Sequence, residues 1–137
     1  MRGESSKAAL ERELQRLDAD IVHTGIFDFA CAFRERRLHR SDLLGNVDNA
    51  VFANVPPKWD VAESILAPGP YRSETIAYDP ASVRAYPFEP KAALLVADFT
   101  GPQAEIMPRR ILARQIERPR RVGSRWMPAH LNSSSSC

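Results

Sequence analysis

Seven arginines crowd into residues 108–137: Arg109, Arg110, Arg114, Arg118, Arg120, Arg121 and Arg125, with no lysine and with Glu117 as the sole acid. A guanidinium is planar and permanently charged, and its fork of donors matches phosphate or carboxylate. Seven of them in a short segment point to contact with an anionic surface. The rest of the chain does not share this charge. Residues 1–42 balance eight basic against eight acidic groups, and residues 43–107 carry four basic against eight acidic. The net charge of +2 therefore conceals a basic end joined to an acidic middle.

The other reactive residue types form no recognisable site. His23, His39 and His130 stand at no metal-ligand spacing with each other or with a cysteine, so a metal centre is not expected and the histidines read as surface or satisfied groups. Asp18 and Asp20 diverge around a helix and cannot work as a paired acid and base. Cys31 lies in an apolar stretch and reads as a small core residue. The six glycines are isolated, so no phosphate-cradling loop is present. No catalytic residue, no cofactor and no small-molecule substrate is expected from these patterns, and the chain reads as a non-enzyme.

The elements that would carry the arginines follow from proline. All eleven prolines come after residue 55. Proline lacks a backbone donor and disfavours α geometry in the preceding residue, so long regular elements are expected only before it. In residues 1–55, Leu10, Leu14, Leu17 and Ile21 follow at steps of four, three and four, one stripe of a helix, with Gly25 as its stop. A second helix is expected over 26–40, apolar at Ile26, Phe27, Phe29 and Phe33 and basic in its last turn. The two make a helical hairpin too small to bury its own phenylalanines.

Beyond Pro56-Pro57, Trp59 to Leu66 reads as about two turns of helix, and residues 71–90 as an extended run. Residues 92–99 are a continuous apolar segment that suits a strand or a short helix equally. Residues 108–118 suit a short basic helix started by Pro108 and ended by Pro119, and residues 132–137 a flexible tail. The fold class expected is mainly α with extended irregular segments: a helical head (1–55), a proline-punctuated acidic segment (56–107), a basic segment (108–131) and the tail. Leu10, Leu14, Leu17, Ile21, Phe29, Phe33, Trp59 and Trp126 are the candidate docking residues, large apolar groups for pockets on a partner.

Part of the basic end resembles the small-subunit ribosomal protein family numbered eighteen. The residues that carry the likeness are Leu95, Val96, Phe99, Ile106, Pro108, Arg109, Arg110 and Ile111. After them come Leu112, Ala113, Arg114, Ile116, Arg118, Arg120 and Gly123, closed by Met127-Pro128. The family's linker between the two motifs is missing here. The resemblance implies a non-catalytic subunit whose arginines contact RNA phosphates and bases.

The function expected is a structural subunit of a large assembly, docked on other subunits and holding RNA through its arginines. The alternative is a protein lattice rich in carboxylates, such as a microtubule wall. No apolar run approaches the roughly 20 residues that cross a bilayer, so no membrane contact is expected. Two distant cysteines suit an intracellular, reducing compartment.

Overall fold

The structure, a computed structural model, describes residues 6–59, 62, 64–65 and 69–121. The chain runs through helix α1 (Ser6–Arg16), strands β1 (Ile21–Phe27) and β2 (Phe33–His39), helix α2 (Arg40–Gly45) and strand β3 (Val51–Ala53). Strands β4 (Ser73–Tyr78), β5 (Arg84–Ala85) and β6 (Ala92–Phe99) follow, then helix α3 (Pro108–Arg121). The strands form one mixed sheet in the order β2-β1-β6-β4-β3, with β5 also paired to β6. The sheet curls into a half-barrel.

This overturns the mainly α fold with extended irregular segments and its N-terminal helical hairpin. The first helix forms, but it ends at Arg16, and Ile21 opens a strand. The second helix does not exist. Residues 26–40 are the end of β1, a turn, β2 and the first residue of α2. Of their apolar residues, Ile26 and Phe27 end the interior strand β1, Phe29 is exposed in the turn, and Phe33 opens β2. Their basic residues alternate instead of clustering. Glu35 and Arg37 face one side of the sheet, where they meet His23 and Glu89. Arg34 and Arg36 face the other, where they meet Asp28 and the Phe52 ring. That is the period of a strand.

The extended run over 71–90 becomes β4 and β5, joined by a 3-10 turn at Pro80–Ser82. The expected helix from Trp59 to Leu66 is contradicted by an antiparallel bridge between Trp59 and Ile65. Proline does limit the strands, in a simpler way than a loss of structure. Strands β4 and β6 occupy proline-free windows, 71–79 and 91–101. Cys31 is exposed at the β1–β2 turn, with φ of 61°, and not in the core.

Strand β6 is the axis. It pairs in parallel with β1 (His23 opposite Leu94) and antiparallel with β4 (Ala77 opposite Asp98). Its continuous apolar run suits a strand covered on both faces, which settles residues 92–99 as strand. Ala93 and Leu95 enter a first core with Leu10 and Leu14 of α1 and Leu43 of α2. Ala97 and Phe99 enter a second core with Ile26, Phe52 and Met107. Arg36 spans the open side of the curl: its Nη2 donates to the Val51 carbonyl at 2.9 Å, and its guanidinium lies over the Phe52 ring.

Helix α1 is held by this burial, since a helix of eleven residues has little stability of its own. Leu14→Ala should therefore cost about 2–5 kcal/mol, the range for a fully buried leucine. Leu112→Ala, on the exposed face of α3, should change stability by no more than about 0.5 kcal/mol. Thermal melts of the two variants should separate clearly; equal melting temperatures would mean that α1 is not part of the core.

Candidate functional site

The arginine-rich segment begins as the expected basic helix, α3, with Pro108 at its first turn and with Pro119 inside it, not at its end. Two of the four described α3 guanidinium groups, those of Arg109 and Arg114, bind acids of the chain itself. Arg109 donates through Nε to Asp98 Oδ2 at 3.1 Å and through Nη2 to Asp79 Oδ2 at 2.8 Å, which ties the start of α3 to the sheet. Arg114 donates to the Glu105 carboxylate at 2.7 Å and to the Glu105 carbonyl at 2.6 Å. Arg118 makes a long contact with Gln115 at 3.4 Å, and Arg110 is exposed. Arg120 and Arg121 belong to the last turn of α3. Arg125 and Trp126 lie outside the described residues.

The expected docking residues divide in the same way. Leu10 and Leu14 are fully buried in the chain's own core, and Leu17 packs against it. Ile21 is half-buried at the start of β1. Phe33 is half-buried against Phe27 across the hairpin, with ring centroids 5.1 Å apart. Trp59 lies under the Arg34 guanidinium at 4.8 Å. Phe29, in the β1–β2 turn, is exposed. Packing within the chain thus uses most of the stripe that looked available to a partner.

Two hollows adjoin α3. A groove of about 480 Å³ is lined by α3 residues alone, including Arg110, Arg114 and Arg118. A cleft of about 390 Å³ lies between α3, β6 and the 3-10 turn at Pro102–Ile106. Its apolar floor is Phe99 and Met107, and its rim sets Asp98 and Glu105 against Arg109 and Arg110. Arg109 is bonded to Asp98 across this rim, and Glu105 is bonded to Arg114 of α3. Among the described residues no three His, Cys, Asp or Glu side chains are grouped to hold a metal ion.

The densest charged constellation is around His23 of β1. Its ring is buried, stacked on Tyr86 at 4.0 Å between centroids and 15° between planes. Nδ1 lies 3.0 Å from Glu35 Oε1, and Nε2 lies 2.9 Å from Glu89 Oε2. Arg37 grips the same Glu89 carboxylate through Nε and Nη2. A neutral imidazole has one donor, and satisfying two carboxylates requires both ring protons. Burial works to lower the His23 pKa, but the hydrogen bonds to Glu89 and Glu35 and their charges outweigh it, and the pKa rises. The Arg37 hydrogen bond, followed by that of His23, pulls the Glu89 pKa down to about 2.

The two shifts act at opposite ends of the pH scale. His23 contributes stability that is complete below its unfolded value of 6.5 and is lost as pH rises through the raised folded value. Glu89 contributes stability that is complete above 4.5 and is lost as pH falls toward about 2. The cluster is at full strength between pH 4.5 and 6.5. With both nitrogens engaged and the ring covered, His23 is placed to hold structure and not to exchange protons with a substrate. Its reading as a satisfied histidine agrees with this geometry. Nothing local in the sequence names its partners, because Glu89 is 66 residues away.

No family model matches the chain, and no curated protein matches it; neither comparison bears on the resemblance to the ribosomal family. Among solved structures the chain is similar to GmaS in its complex with ADP, conformation 1. The TM-score is 0.64 at 20% identity, covering 82% of this chain and 26% of that one. The chain thus spans about a quarter of the length of that protein. At this identity the likeness shows a shared fold. The expectation of a structural subunit of a ribonucleoprotein or a microtubule wall is corrected, since the chain folds as its own sheet, shared with part of GmaS. The physical reason lies in residues 73–99. They do not run over neighbours as an extended body, but form three strands of the chain's own sheet. Among the described residues no helix is long and apolar enough to cross a membrane.

Proposed function

We propose that this chain serves as a sheet module of an ADP-binding enzyme of the GmaS kind, and that the nucleotide is held outside the module. The observation that carries this reading is the asymmetric overlap: 82% of this chain superposes on 26% of GmaS, which was solved with ADP. The engagement of Arg109 supports placing the nucleotide elsewhere. A diphosphate needs uncompensated donors, and at the cleft beside β6 the Arg109 guanidinium is already bonded to Asp79 and Asp98. Alone, the chain would catalyse nothing. Its contribution would be a rigid surface beside the nucleotide-bearing part.

Immobilised ADP tests this reading. The recombinant 137-residue chain should pass through an ADP column unretained. The form in which the chain occurs in its native extract should be retained and should elute with free ADP. Passage of the native form, or retention of the recombinant chain by itself, would overturn the proposal.

A further inference from the structure

The His23 cluster joins two strands to a segment that carries an exposed aromatic ring. Between β5 and β6 the chain reads Tyr86-Pro87-Phe88-Glu89-Pro90-Lys91. Phe88 is 85% exposed, its ring edge-on to Tyr86 at 5.5 Å. At its far end the segment is anchored independently of His23. The Lys91 carbonyl accepts from the Asp20 and Ile21 amides at 2.8 and 3.2 Å, and the Lys91 ammonium meets Asp18 at 3.2 Å. At the near end the Tyr86 amide donates to the Ala92 carbonyl at 2.9 Å. Between these ends, the contacts to the sheet run through Tyr86, stacked on His23, and Glu89, bonded to His23 and Arg37.

We propose that His23 clamps residues 86–90 to the sheet only while its ring carries both protons, and that loss of one proton releases the segment and with it Phe88. The groups that face the ring are accounted for element by element. Strand β2 presents Glu35 and Arg37, and the segment itself presents Tyr86 and Glu89. Strand β6 places uncharged Leu94 beside His23. Arg84 of β5, the other register partner of Leu94, turns its guanidinium to the carbonyls of Ala81 and Val83. Two carboxylates and one guanidinium therefore surround a ring with donors at both nitrogens. Removing a proton leaves a lone pair aimed at a carboxylate oxygen about 3 Å away, a repulsive contact in a covered site. Arg37 still holds Glu89, but its side chain is 55% exposed, and water screens that pair.

Hydrogen exchange on the full chain, read on peptides that span residues 84–92 and corrected for the intrinsic rise of exchange with pH, tests the clamp. Protection of the Tyr86 amide should fall about tenfold between roughly pH 5.5 and roughly pH 8.5, as the ring loses its second proton. His23→Gln has no titrating ring, so its protection should be the same at both pH values. Glu89→Gln, on a partly exposed side chain, guards against a misfolded His23 variant. Its amide can donate to a neutral imidazole nitrogen, and the pH dependence should flatten. A wild-type chain with unchanged protection, or a Glu89→Gln chain with the full tenfold fall, would overturn the proposal.

Discussion

Gly25→Ala is expected to remove the folded state or to lower its melting temperature by about 10 °C or more. Gly25 sits inside β1, opposite Glu35 of β2. A Cβ at this position would stand 1.9 Å from the Arg34 carbonyl oxygen and 2.7 Å from both the Arg34 carbonyl carbon and the Glu35 Cα. Every one of these atoms is backbone, so no side chain can rotate away. The β1–β2 ladder would have to part along its centre, where it flanks both the His23 cluster and the second core. Overpacking costs about 1–3 kcal/mol when side chains can adjust, and a backbone obstacle places this variant at or above that upper end. Gly45→Ala, where an added Cβ meets nothing within 4 Å, is the control and should melt like the parent or slightly higher. Calorimetric melts that place Gly25→Ala within about 2 °C of the parent would show that the two strands are not so close.

Asp28→Ala is the second large effect expected, a loss of about 3 kcal/mol or more. The Asp28 carboxylate is fully buried at the β1–β2 turn. Oδ2 accepts from Arg34 Nε at 2.7 Å, and Oδ1 accepts from the Ala32 amide at 2.9 Å. Burial alone would raise its pKa, but the Arg34 hydrogen bond and the Ala32 amide reverse this and hold it below the usual value. Alanine would take the buried Asp28 acceptor away from the Arg34 guanidinium, itself mostly covered and packed on Trp59, and from the Ala32 amide. Asp28→Asn keeps an acceptor for the Ala32 amide and should lose less. Since the folded pKa is lowered, the Asp28 contribution is present above its unfolded value of 3.8 and fades as pH falls through the folded value. Urea titrations at neutral pH should rank parent, Asn and Ala in falling order. An Ala variant as stable as the parent would mean that the turn is held by something other than this pair.

Which parts of the molecule were readable in advance follows from how locally each is encoded. The stripe of Leu10 and Leu14 did mark a helix, and both residues proved to be core. Pro108 did mark the start of α3. The window 26–40 misled because its phenylalanines and arginines also fit a helix with a basic end, and because Gly25 looked like a helix stop when its role is close strand approach. Of the candidate site, Arg109 and Arg114 stand out in the sequence by their crowding, but the carboxylates they bind do not. His23, Glu35, Arg37 and Glu89 carried no signal as a group.

Local order along the chain encodes the partition of charge, the places where proline forbids continued pairing, and the two amphipathic helices, because each depends on neighbours within a turn or two. Folding in three dimensions lays β1 parallel to β6, brings Arg36 to Val51 across the curl, and stands a buried histidine between carboxylates 12 and 66 residues away. Strand pairing is a long-range choice, made by which apolar faces close on one core. A pattern with a period of two shows which face a residue takes, but not which strand will lie beside it.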